Sequence, residues 1–133
     1  MMRMRALAAV ALLAAGCMPM AATPTRRVPL GESFRLDRGE TAAVVDLSLR
    51  FVTVVEDSRC PVGVQCIRAG EGRVQLALRA GRETDAVIVA TEGGQPRYAS
   101  FGPYDIHLVT LDPPRRRDEP HPQYVATLRV TRH

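Results

Sequence analysis

The sequence predicts an all-β fold, an antiparallel β-sandwich of about seven strands, with a partly open β-barrel as the alternative. Three observations carry that prediction. Apolar and polar residues alternate with period two in DLSLRF, RVQLALR, YDIHL and QYVATLRVTRH, the spacing that lines one face of a strand with side chains. Turn signals rich in Gly and Pro, among them DRGE, AGEG, RAGRE, EGGQP and FGP, separate these stretches. Beyond the first sixteen residues, no segment sustains a helical period for three turns.

Taken in chain order, Val28 to Leu36 is a weak strand, and Ala42 to Val45 is expected to run straight into the strand that starts at Asp46. That strand places Leu47, Leu49 and Phe51 on one face and Asp46, Ser48 and Arg50 on the other. Its phase then slips, because Val52 and Val54 are apolar at even positions, which predicts a bulge or a change of sheet near Phe51 to Val52. The next strand turns Val74, Leu76 and Leu78 inward. Ala86 to Ala90 and Arg97 to Phe101 follow as weaker strands. The last two strands bury Tyr104, Ile106 and Leu108, then Tyr124, Ala126, Leu128 and Val130.

The chain opens MMRMRALAAVALLAAGC, with Arg3 and Arg5 ahead of an apolar run from Ala6 to Ala15. Charge, short apolar stretch and small residues form an export signal. Ten apolar residues are too few to cross a bilayer as a helix, which needs roughly 20. LAAGC resembles the lipobox of bacterial lipoproteins, with Ala14 where leucine is usual and Leu13 one step further out. The resemblance implies removal of residues 1–16 and lipidation of Cys17 as the first mature residue. The alternative is cleavage after Gly16 with Cys17 left as a free thiol. Lipidation leaves an even pair, Cys60 and Cys66, in an oxidising compartment, which favours a disulfide. Met18 rather than Asp after the lipidated position implies an outer membrane, facing the periplasm, in a source with two membranes. In a source with one, the anchor implies the outer surface. Residues 17–27 read as an extended tether and 28–133 as a single domain. At about 3.3 Å per residue, the proline-containing stretch from Cys17 to about Pro29 reaches roughly 40 Å.

Charge excludes one broad function class. The net charge of +4 falls to +2 when Arg3 and Arg5 leave with the signal, every basic residue is Arg, and only three Phe and three Tyr are present. A basic stripe interleaved with aromatics is missing, so nucleic acid is not an expected partner. The one concentration, PPRRRDEPHPQ, places Arg115, Arg116 and Arg117 beside Asp118 and Glu119 between prolines. It reads as a solvated loop, and alternatively as an Arg patch for anionic lipid headgroups or lipopolysaccharide.

The stretch SRCPVGVQCIRAGEG holds the remaining two cysteines. A bridge from Cys60 to Cys66 closes a short loop worth about 2.4 kcal/mol on the chain-entropy model. It braces one connection and ties no distant strands. A rigid loop also loses less entropy on meeting a partner, so Arg59, Val62, Val64, Gln65 and Arg68 are the side chains expected to make contact. Five intervening residues is not the Cys-x-x-Cys spacing of a redox site, and two cysteines without a nearby histidine do not make a zinc site. The stretch resembles a motif of uncharacterised exported bacterial proteins and lipoproteins, Ser-Arg-Cys-Pro, four residues, Cys, aliphatic, any residue, Ala-Gly, then a strand. The matching positions are Ser58, Arg59, Cys60, Pro61, Cys66, Ile67, Ala69, Gly70 and Val74, with Arg68 where Trp is common. YDIHLVTLDP and YVATLRV resemble that group's closing strands. The resemblance implies a β-rich extracytoplasmic module and no known activity.

No nucleophile elbow, His-Glu-x-x-His, phosphate loop or dinucleotide fingerprint occurs. His107 and His121 are weak metal candidates, no cofactor is expected, and no catalytic residue is assigned. The expected function is a membrane-anchored lipoprotein with a non-catalytic binding or envelope-structural domain. Its expected partners are the membrane, through the lipid on Cys17, and an envelope protein or ligand at the Cys60 to Cys66 loop. The alternatives are a thiol-disulfide or metal-dependent envelope enzyme, and a protease-inhibitor-like module presenting Arg59.

Overall fold

The computed structural model describes residues 16–20 and 24–133. The export signal read over residues 1–16 therefore lies, apart from Gly16, outside the described residues. Nine strands form among the described residues: β1 (Arg26–Arg27), β2 (Ser33–Asp37), β3 (Thr41–Val44), β4 (Leu47–Asp57), β5 (Gly72–Ala80), β6 (Glu83–Ala90), β7 (Tyr98–Phe101), β8 (Tyr104–Asp112) and β9 (Val125–Arg132). They build a five-stranded sheet in the order β1-β3-β4-β5-β6 and a four-stranded sheet in the order β2-β9-β8-β7. Every pairing is antiparallel except β1 with β3. The two sheets face each other as a sandwich and do not close into a barrel.

Period two explains the core. Leu47, Leu49 and Phe51 of β4, Val74, Leu76 and Leu78 of β5, Tyr104, Ile106 and Leu108 of β8, and Ala126, Leu128 and Val130 of β9 are all buried. They meet Phe34, Leu36, Val44, Val89 and Leu111 in one layer with no buried charged or polar residue. Each large side chain withdrawn from water there contributes roughly 2 kcal/mol before the entropy of ordering is counted.

The phase slip in β4 is a bulge. Phe51 pairs with Leu76 and Thr53 with Gln75, leaving Val52 unmatched. A second irregularity falls between Val54 and Glu56. The first lets Phe51 and Val54, three residues apart, both turn toward the core, and the two together bend the far end of β4.

Three expectations are corrected. Among the described residues there are nine strands rather than about seven, because Arg26 and Arg27, assigned to the tether, form β1, and Ala42 to Val45 belongs to a strand of its own; the Val28 to Leu36 segment is a strand only from Ser33, after a turn. Val28 still donates its amide to the Ala43 carbonyl (2.9 Å) and so prolongs the β1 contact. Ala42 to Val45 does not run on into the Asp46 strand. Val44 pairs with Leu47 across a two-residue hairpin turn, with Val45 at φ 57°.

Registers define the two ends of the sandwich. Asp37 pairs with Val125 and Val125 with Asp112, while Asp57 pairs with Gly72 and Arg73 with Ala90. The 38–40 turn, the 58–71 loop, the 91–97 loop and the 113–124 loop therefore crowd one end. Because β1 runs parallel to β3 with Arg26 opposite Ala42, the chain enters the domain at that same end.

Candidate functional site: a braced loop beside an arginine-lined cleft

The loop between β4 and β5 is closed at its neck by Ser58. Its amide donates to the Glu71 carbonyl (2.8 Å), and its hydroxyl accepts from the Glu71 amide (3.0 Å). Gly70 lies so close that a Cβ there would fall 1.6 Å from the Ser58 carbonyl oxygen, so only glycine fits. Cys60 and Cys66 are joined, with their Cα atoms 5.9 Å apart. The turn between them closes through the Val64 amide on the Pro61 carbonyl (3.1 Å) and Gly63 at φ 77°.

Arg59 is the main correction to the sequence reading. Its side chain is 17% exposed and reaches inward rather than toward a partner. Nε and Nη2 grip the two oxygens of Asp57 at 2.7 and 2.8 Å. Nη1 donates to the Leu111 carbonyl (2.6 Å) and Nη2 also to that of Pro113 (2.9 Å). A bidentate fork held at four points suits arginine's planar donors. It fastens the 58–71 loop to the end of β8. Arg115 donates in return to the Arg59 carbonyl, and the Val62 amide donates to the Arg115 carbonyl, both at 2.9 Å. The Tyr124 hydroxyl donates to Asp57 Oδ2 at 2.9 Å.

The electrostatics of this cluster follow from its contacts. Burial alone pushes the Asp57 carboxyl up, but the Arg59 hydrogen bonds, the Tyr124 hydroxyl and the Arg59 charge outweigh it and hold Asp57 below the usual aspartate value. Burial and the bond to Asp57 raise Tyr124, and the bond to Asp57 raises Arg59. The cluster is a fixed ion pair, with its proton affinities moved away from neutrality rather than toward it.

Of the side chains expected at a contact surface, Val62, Gln65 and Arg68 are exposed and Val64 is half-buried. Ile67, not among those expected, is fully exposed. Its place in the braced loop, next to Cys66 and among the matched motif positions, is the signal in the sequence that points to it. His107 lies on the outer face of the four-stranded sheet against Tyr98, ring centroids 5.5 Å apart. His121 lies in the 113–124 loop and lines a different cavity. Among the described residues no group of three or more His, Cys, Asp or Glu converges as a metal site. Cys17 is a free, exposed cysteine.

Beside the braced loop lies a cleft of about 720 Å³. The bent end of β4 (Thr53 to Asp57) forms one wall and the 113–124 loop the other, with Arg38 from the β2–β3 turn. Arg38, Arg115, Arg116, Arg117 and His121 supply its basic groups, and Glu56, Asp57 and Glu119 its acids. Asp57 is taken by Arg59, and Glu56 faces Arg73 at 3.6 Å. Among the described residues none of the four cleft arginines makes an ion pair with a carboxylate. The fold is a two-sheet sandwich with one heavily pinned end. No family model matches the chain, and no curated protein or solved structure matches it.

Proposed function

We propose that this chain is a bacterial lipoprotein, held at a membrane of the cell envelope by lipid on Cys17, whose β-sandwich is a non-catalytic binding module. Its working surface is the end that carries the Cys60 to Cys66 loop. One observation carries the reading: the loop is fixed by a disulfide, by Arg59 and by the Ser58 neck, yet it holds Ile67 wholly in solvent with Val62, Gln65 and Arg68 around it. A fold gains little stability from an isoleucine exposed in this way. A rigid loop presenting it is pre-organised for contact.

The experiment expresses the full chain and its Cys17→Ser variant in a bacterial host and takes the mass of the mature N-terminal peptide with detergent-phase partitioning. Acylated Cys17 and a detergent-phase protein, both lost in the variant, are expected. A mature protein with a free Cys17 thiol overturns the anchor. Titrating the Cys60–Cys66 pair in graded redox buffers tests the non-catalytic half. Resistance below about −300 mV is expected of a structural bridge, and reduction near the range of known oxidoreductases overturns it.

A further inference from the structure

We infer that the cleft end docks flat on anionic, phosphate-bearing lipid headgroups of the membrane to which the chain is tethered. The inference deepens the proposed binding role and takes only its orientation from the anchor on Cys17. Four observations converge on it.

The first is direction. The chain enters at β1, whose Arg26 lies opposite Ala42 at the cleft end of the sandwich, and Pro24 and Arg26 line a small recess there with Glu40 and Thr41. Arg26 is tied down by donating to the Arg35 carbonyl at 2.5 Å. Only residues 18–25 separate it from Cys17, a reach of about 30 Å when extended. A lipid on Cys17 would thus draw on the domain from this end.

The second is charge. Arg38, Arg115, Arg116 and Arg117 converge on the cleft from two separate connections. With Glu56 and Asp57 facing arginines of their own, Glu119 is the one cleft-lining carboxylate without an ion pair among the described residues. Asp118, at the tip of the same loop, is exposed and offsets part of the field. Arginine forks match phosphate oxygens in a way that a point charge does not.

The third is rigidity. Pro113, Pro114, Pro120 and Pro122 stiffen the loop that bears the arginines. The Val62 amide and the Arg59 carbonyl pin Arg115 to the braced loop.

The fourth distinguishes a bilayer from a soluble polyanion. Ile67 is fully exposed and Val62 is 57% exposed on the neighbouring loop. Apolar tips beside arginines suit an interface where headgroups give way to acyl chains. A free anion has no use for them.

The test uses the mature chain from residue 17 with Cys17→Ser, which keeps every strand and removes the anchor, so failure of docking and failure of lipidation are read separately. Its partition onto vesicles of phosphatidylcholine alone and of phosphatidylcholine with phosphatidylglycerol is measured at about 0.05 M and about 0.3 M salt. Strong preference for the anionic vesicles, weakened by salt, is expected. Arg115→Gln, Arg116→Gln and Arg117→Gln together lower that binding by roughly a hundredfold, and Ile67→Ser lowers it several-fold. Arg79→Gln with Arg82→Gln, at the opposite end of the sandwich, leaves the binding within about twofold. Equal binding to both vesicles, an unchanged triple variant, or saturation by inorganic phosphate without vesicle binding each overturns the inference. Matching thermal transitions for all variants exclude unfolding as the cause of a loss.

Discussion

Removing the Arg59 guanidinium leaves the Asp57 carboxylate, 10% exposed, with Tyr124 as its remaining side-chain partner, and strips the carbonyls of Leu111 and Pro113 of a donor. An orphaned, largely buried charge costs more than the pair ever contributed. Arg59→Ala is therefore expected to lower stability by about 3 kcal/mol, read as a fall in the urea midpoint at unchanged slope. Arg59→Lys recovers part of it, since an ammonium keeps the charge but not the fork. A loss under about 0.5 kcal/mol, the size of a surface substitution, would show Arg59 to be an ordinary exposed side chain. Nothing local marks Arg59 as buried, because its carbonyl acceptors lie 52 and 54 residues on. Seen from the loop alone it is an arginine on display. Val45 is the opposite case: a β-branched residue at φ 57° carries strain that its neighbours must outweigh. Val45→Asn, which tolerates that conformation, is expected to raise stability by about 1 kcal/mol, measured by the same denaturation. No change there would mean the turn relaxes without cost.

At the scale of elements, the disulfide is one of three restraints on the 58–71 loop. Replacing Cys60 and Cys66 together by serine is expected to cost about 2 kcal/mol, chiefly by freeing the unfolded chain. Amide exchange should rise over residues 60–66 while the Asp57–Gly72 pairing at the base of the loop stays protected, because Ser58 and Arg59 still hold it. Loss of protection along β5 would show that the bridge, not the arginine, organises this end. The long strands were legible because alternation survives in any half-buried sheet. The bulge at Val52 was legible too, since a phase slip is the only way Phe51 and Val54 both reach the core. The hairpin at Val45 and Asp46 was not, because neither residue is a glycine, asparagine or proline and the apolar run AAVV continues into it. β1 escaped because two arginines have no period to read. The cleft escaped because its walls are joined only by tertiary contact.

At the scale of the whole molecule, each end of the sandwich is fastened by a tyrosine hydroxyl on a carboxylate, backed by an arginine. At one end Tyr104, from the four-stranded sheet, donates to Asp46 in the β3–β4 turn of the other sheet, and Arg132 lies over the Tyr104 ring at 5.4 Å. At the other, Tyr124 donates to Asp57 beside Arg59. These clasps join two sheets whose shared core is otherwise apolar, and they make stability depend on acid. The Tyr104 bond, helped by a backbone amide and the Arg132 charge, holds Asp46 below its ordinary value of 3.8. At Asp57 burial opposes the shift, and Arg59 with Tyr124 overcome it in the same direction. With folded values depressed, the unfolded chain binds more protons between each folded value and 3.8, so stability rises with pH across that interval. The contribution is full above 3.8, shrinks as pH falls through the depressed values and is gone beneath them. Unfolding free energy, measured in urea at a series of pH values, should hold level from neutral to about pH 5 and drop steeply below about pH 4. Asp57→Asn should be less stable at neutral pH and show a shallower acid limb, and adding Asp46→Asn should flatten it further. The two changes should combine additively within about 0.5 kcal/mol, because the clasps sit at opposite ends and share no partner. Acid limbs of equal slope in the wild type and the double variant would mean that neither carboxylate is held low, and that the acid dependence comes from other groups such as Asp105, which the Ser100 hydroxyl also holds below its ordinary value.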